Sequence, residues 1–156
     1  MTEKDRLVAW NRELVTAHQR LRRALRVAQD SVGDADSGEA GSGRADLTLY
    51  CHGFCAALGG HHVSEDAALF PELSARHPRL QPVIAKLRQD HEMIAALLTG
   101  FESAVTSGAA ADELARHLQG LSAIMESHFR YEERELGGVL AGLDLEADPH
   151  DLLGPL

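Results

Sequence analysis

Residues 114–132 read LARHLQGLSAIMESHFRYE. Leu114, Leu118, Leu121 and Met125 recur at steps of three and four, the spacing that keeps side chains on one face of an α-helix. The next two positions on that face are His128 and Glu132. A core-facing seam that turns from leucine to imidazole and carboxylate decides the reading of the whole chain, because it recurs. An earlier segment gives Leu7, Asn11, Leu14, His18, Leu21, Leu25; a second gives Leu47, Cys51, Phe54, Leu58, His61, Glu65; a third gives Ile84, Leu87, His91, Ile94, Leu98. Four helical stripes, each interrupted by a histidine, and no strand-like alternation predict an all-α protein.

The helices are expected over about Glu3–Asp30, Asp46–Ala75, Pro82–Ser107 and Ala111–Leu143. Asp46 reads as an N-cap and Ser107-Gly108 as a stop. Gly59-Gly60 weakens the middle of the second helix, and Pro71 is expected to kink or tighten its last turns. Residues 31–45, SVGDADSGEAGSGRA, read as a flexible loop, and 146–156 as a short C-terminal tail. With otherwise short connections, residues 1–145 are expected to form one up-down-up-down antiparallel four-helix bundle.

Composition agrees. Aromatics are 4% of the 156 residues, so Leu and Ala must fill the core. Fifteen Lys and Arg against 24 Asp and Glu leave a net charge of −9, which argues against nucleic acid as a partner. No apolar run approaches a membrane span of about 20 residues. Cys51 and Cys55, spaced i,i+4, suit reduced thiols packed as small hydrophobes. No targeting segment is read, so the expected location is cytoplasmic.

Height along the bundle is the test of the histidines. His18 lies about 14 residues from the start of its helix, His61 about 13 from its end, His91 about 9–11 from its start and His128 about 14 from its end. In an up-down course these counts run from one end, so at ~1.5 Å per residue all four fall in one layer. A lone seam histidine is ordinarily a satisfied core residue. Four at one level with Glu65 and Glu132 would be costly to bury together unless a cation compensates them. Imidazoles with a few carboxylates suit Fe, Zn or Cu, and six or seven ligands exceed one tetrahedral ion but match two adjacent metals. Glu65 and Glu132 can bridge them. His62, Asp66 and Glu133 stand beside the seam and widen the choice. His52, His77, His117 and His150 read as peripheral, while Tyr50 and Tyr131 lie near the seam.

The segment His61-His62-Val63-Ser64-Glu65-Asp66-Ala67-Ala68-Leu69-Phe70-Pro71 resembles the HHxxED-x-x-LFP signature of the hemerythrin (HHE cation-binding) family. His18 is similar to that family's first-helix His, Asp90-His91-Glu92 to its third-helix DHE, and His128-x-x-x-Glu132 to its last-helix H-x-x-x-E. The resemblance covers about residues 5–142. It implies two Fe ions in an oxo- or hydroxo-bridged non-haem di-iron centre, with metal ligands His18, His61, His62, Glu65, His91, His128 and Glu132. It also implies binding of O2, NO or peroxide, in oxygen or redox sensing or handling.

One departure matters. The family's oxygen carriers place a second His one turn after the third-helix His, and here that position is Ala95. His62, at the place of a ligating Glu in an iron-sensing relative, or a water would complete the set. The carriers' last-helix carboxylate corresponds to Glu133, yet Glu132 lies on the seam and is preferred. An open site favours the alternative function, catalase- or peroxidase-like turnover of hydrogen peroxide. The Glu-x-x-His pairs of ferritin-like proteins are absent, which ranks an iron oxidase or store below both.

Overall fold

A computed structural model describes residues 10–37 and 42–155. Among them the only regular structure is helix: α1 (Trp10–Ser37), α2 (Ser42–Ser64), a π-helical turn (Glu65–Leu69), α3 (Phe70–Arg76), a 3₁₀ turn (Pro78–Leu80), α4 (Gln81–Thr106), α5 (Ala111–Ala141) and α6 (Pro149–Leu153). α1 packs against α2 and α5, and α4 packs against α5 and α2.

The seam residues explain that packing. Leu14, Leu21, Leu25 and Ala28 of α1, Leu47, Phe54 and Leu58 of α2, Ile84 to Val105 of α4 at helical spacing, and Leu114 to Met125 of α5 are buried. They form two apolar clusters rather than one. The first gathers Leu21, Leu25, Leu58, Ile94 and Phe101 with Met125 and Phe129. The second gathers Trp10, Leu14, Phe70, Leu87 and Leu136 with Leu152 and Leu153. The histidine layer lies in the seams between them.

Three local expectations are corrected. Residues 31–37 and 42–45, read as part of a flexible loop, are helical; 38–41 lie outside the described residues, as do the expected helix start and Leu7. Tertiary contacts override the poor helix propensity there: Val32 and Leu47 are buried, Ser31 Oγ donates to Ala28 O at 2.7 Å, and Arg44 donates to Ala109 O at 3.1 Å. Asp46 is therefore inside a helix and not its cap. Pro71 does not tighten the last turns of the second helix. Lacking an N–H and crowding the carbonyl four residues back, it is accommodated by a wide π turn just before it, in which Phe70 N–H donates to Glu65 O. Finally, the supposed tail contains α6, capped by Asp148 accepting from His150 N–H at 2.9 Å, with Leu152 and Leu153 buried.

Candidate metal centre

Each long helix delivers its polar seam residues to the same layer. His18 comes from α1, His61 and His62 from α2, Glu65 from the π turn, His91 from α4, and His128 and Glu132 from α5. All seven are at most 5% exposed. The imidazoles form a continuous chain: centroids are 5.3 Å apart for His18–His61, 5.4 Å for His61–His62, 3.7 Å for His62–His91 and 4.9 Å for His91–His128. The π turn keeps α2 in line with this layer. Steps of four residues drift by ~40° in an α-helix, and the wider turn takes up about one extra residue and reverses that drift, so His61, Glu65, Leu69 and Leu73 all stay inward.

The donor atoms fall into two groups, each compact enough to hold one ion: His62, Glu65, His91 and His128, and His18, His61, Glu65 and Glu132. Glu65 belongs to both. Each of the seven expected ligands thus has a place in a group, His62 included, whereas Glu133 and Ala95 stand outside them. Ala95 is exposed.

The second ring nitrogens show how these imidazoles are aimed. His91 Nδ1 donates to Asp66 at 2.9 Å, His128 Nδ1 to Asp90 at 3.1 Å, His18 Nδ1 to Glu133 at 2.7 Å and His61 Nδ1 to the Leu153 carbonyl at 2.7 Å. These acceptors assign the tautomers: with Nδ1 protonated, a neutral ring turns a bare Nε2 lone pair inward. His91 Nε2 and His128 Nε2 then face each other at 3.1 Å, two lone pairs that a shared proton or metal cation reconciles. Nε2 of His18, His61 and His62 and both oxygens of Glu65 and Glu132 are buried without a hydrogen-bond partner. His18 Nε2 does lie 2.9 Å from Glu132 Oε1, as an ion pair without hydrogen-bond geometry. Buried donors and acceptors are rarely left unpaired, so converging orphans of this kind fit a metal site.

Electrostatics in the absence of metal are set by burial. Burial drives the His61 pKa down to about 4 and that of His91 to about 3, and with the neighbouring histidines it holds His62 well below its usual value. Burial and the adjacent Glu132 charge push Glu65 far up. Burial opposes charge on His18 and Glu132 too, but each offsets it for the other: the His18 pKa is raised and that of Glu132 lowered. Phe129 stacks on His18 at 3.9 Å, and Arg22 lies 5.3 Å over the Phe129 ring while binding Glu126 bidentately.

The peripheral assignments also have their places. His52 stands 3.9 Å from Glu102, His117 packs beside Phe101, and neither they nor His77 and His150 join a donor group. Tyr50 is exposed, and Tyr131 sits under Lys86 and Arg134. Cys51 and Cys55 are free and buried, with burial raising the Cys51 thiol to about 11. What the seams alone do not reveal are the outer partners Asp90 and the Leu153 carbonyl, together with the positioning roles of Asp66 and Glu133. The only signal in the sequence is adjacency: Asp66, Asp90 and Glu133 each stand one residue from a seam ligand.

Fold and site together define a class, an all-helical protein whose buried His and Glu clusters could hold metal cations. Residues 11–140 match the hemerythrin HHE cation binding domain, and the chain belongs to that family. No curated protein and no solved structure matches it.

Proposed function

We propose that the two donor groups hold a pair of iron ions as an oxo- or hydroxo-bridged non-haem di-iron centre, and that this centre binds O2, NO or peroxide in oxygen or redox sensing or handling. The observation that carries this reading is the convergence of bare, buried Nε2 and carboxylate atoms whose rings are tied outward through Nδ1. His62, His91 and His128 would serve one ion, His18, His61 and Glu132 the other, with Glu65 between them. When bound, such a pair supplies reversible one- and two-electron chemistry toward small diatomic ligands. The protein residues hold the ligand rings rigid, exclude bulk water and give up protons as metal enters. The neighbour relations of α1, α2, α4 and α5 support an up-down-up-down course. The free buried thiols are consistent with a cytoplasmic setting, and no described helix is long and apolar enough to cross a membrane.

Anaerobic reconstitution followed by metal analysis tests the reading. Close to two irons per chain and near-ultraviolet oxo-to-iron bands after exposure to air are expected; less than one iron overturns it. Separate anaerobic additions of O2, NO and peroxide, followed by absorption, then name the ligand.

A second reading, catalase- or peroxidase-like turnover, has one observation in its favour. A cleft of about 570 Å³ between α4 and α5 reaches His128, with Lys86, Asp90 and Tyr131 in its wall. Oxygen evolution from added peroxide, abolished in His91→Ala, distinguishes turnover from simple binding.

A further inference from the structure

The outer hydrogen bonds of the centre obey a cyclic rule. Asp66 in the π turn holds His91 on α4, Asp90 on α4 holds His128 on α5, and Glu133 on α5 holds His18 on α1. In each case a carboxylate adjacent to a seam ligand reaches the histidine of the next helix. Continued once more, the rule would have α1 hold His61 on α2. Instead, His61 Nδ1 donates to the Leu153 carbonyl at 2.7 Å, from a segment beyond the residues matched by the family model.

That segment is built to reach there. Trp10 Nε1 donates to Leu145 O at 3.0 Å, and Leu143, Leu145, Leu152 and Leu153 are buried in the second apolar cluster. α6 then packs against α1, α2 and the π turn. Immediately after Leu153, Gly154 takes φ +91° and lies against the α2 backbone. A Cβ there would meet His61 Cα at 3.0 Å and Gly60 O and His61 N at 3.1 Å. Only glycine allows both the left-handed turn and this approach. His61 and Leu153 are buried, so water cannot replace the carbonyl without the segment moving.

We infer that residues 143–155 form a working strap of the centre, in which the Leu153 carbonyl is the positioning group for His61 and Gly154 is the residue that lets it reach. The carbonyl holds Nδ1–H and leaves Nε2 bare for the inner layer, the task that carboxylates perform for His18, His91 and His128. Because the carbonyl is neutral, it does so without adding charge. The inference rests on the metal-binding reading for its consequence, but the contact itself can be tested without metal.

The test uses the full chain. In the unsubstituted metal-free protein, nitrogen-15 NMR is expected to find His61 as the Nδ1–H tautomer with a slowly exchanging proton. The Nε2–H tautomer, or exchange as fast as that of an exposed histidine, overturns the strap contact. Cobalt(II) is then titrated into the unsubstituted chain, Gly154→Ala, and Leu140→Ala, which trims a side chain of the same cluster while leaving Gly154, Leu153 and the backbone bond from Leu143 N–H to residue 140 O in place. Gly154→Ala is expected to weaken cobalt binding ~10–100-fold and shift its visible bands, while Leu140→Ala lowers stability with affinity held within a few-fold. Equal affinities in Gly154→Ala and the unsubstituted chain, or equal losses in both variants, overturn the positioning role. If the unsubstituted chain binds no cobalt while the NMR result holds, the metal reading fails and the strap contact stands.

Discussion

Asp90 shows how much of this centre depends on residues outside its donor groups. Its carboxylate accepts from His128 Nδ1 at 3.1 Å and meets Lys86 Nζ at 3.3 Å at the edge of the α4–α5 cleft. Asp90→Ala frees the His128 ring to rotate and removes the acceptor that assigns its tautomer. Metal affinity, measured by competition with a chromophoric chelator, should fall ~10–100-fold with little change in helix content. Protons provide a second prediction at this scale. Without metal the Glu65 pKa is raised by burial and by Glu132, and that of His18 is raised, against the opposing effect of burial, by its contacts with Glu132 and Glu133, so metal entry competes with protons at both. Calorimetric titration with metal in buffers of different ionisation enthalpy should report net proton release. An enthalpy independent of buffer would contradict it.

Among the elements, the turn at Glu65–Leu69 does the most with the fewest residues. It reconciles Pro71 with a helix that must present His61 and Glu65 above it and Leu69 and Leu73 below on a single line. Ala67 is exposed in that turn, so deleting it removes no core side chain. The deletion converts the wide turn to an ordinary one without rotating the flanking helices, because the narrower turn needs one residue fewer, but it leaves Pro71 inside an unbroken i→i−4 ladder where it crowds a carbonyl. The expected result is a marked fall in melting temperature, from a cost of ~3 kcal/mol or more. A variant that melts like the unsubstituted chain would show that the turn is dispensable. The sequence announced this element only indirectly. Pro71 signals that the hydrogen-bond ladder must adjust, but whether by kink, tight turn or wide turn depends on where the packed neighbours need the side chains. The strap has the same character, since Leu152 and Leu153 are visible as apolar residues while a carbonyl acceptor is common to every residue type.

For the molecule as a whole, a polar layer between two apolar clusters makes stability depend on pH. In the metal-free protein His61 is lowered to about 4, His91 to about 3, and His62 well below 6.5, so the unfolded chain binds more protons than the folded one just below pH 6.5. Glu65 acts oppositely, since its raised pKa lets the folded state bind the extra proton above about 4.5. Three histidines outnumber one carboxylate, so stability should fall as pH drops from about 6.5 toward about 4.5, by up to ~2.7 kcal/mol per unit if two protons are taken up. Urea midpoints of chelator-treated protein at pH 7 and pH 5.5 check the sign.

The order of residues along the chain was enough to specify the four stripes, the approximate common height of their histidines and the candidate donors that interrupt them. Those features depend on residue type at helical spacing, which a linear string records directly. It took the packed fold to establish that His62 joins His91 and His128, that Glu132 faces inward while Glu133 turns to His18, and that a glycine-permitted carbonyl holds His61. Adjacent residues on a helix point ~100° apart, and which one meets a neighbouring helix depends on rotation about the axis. Packing of the two apolar clusters sets that rotation.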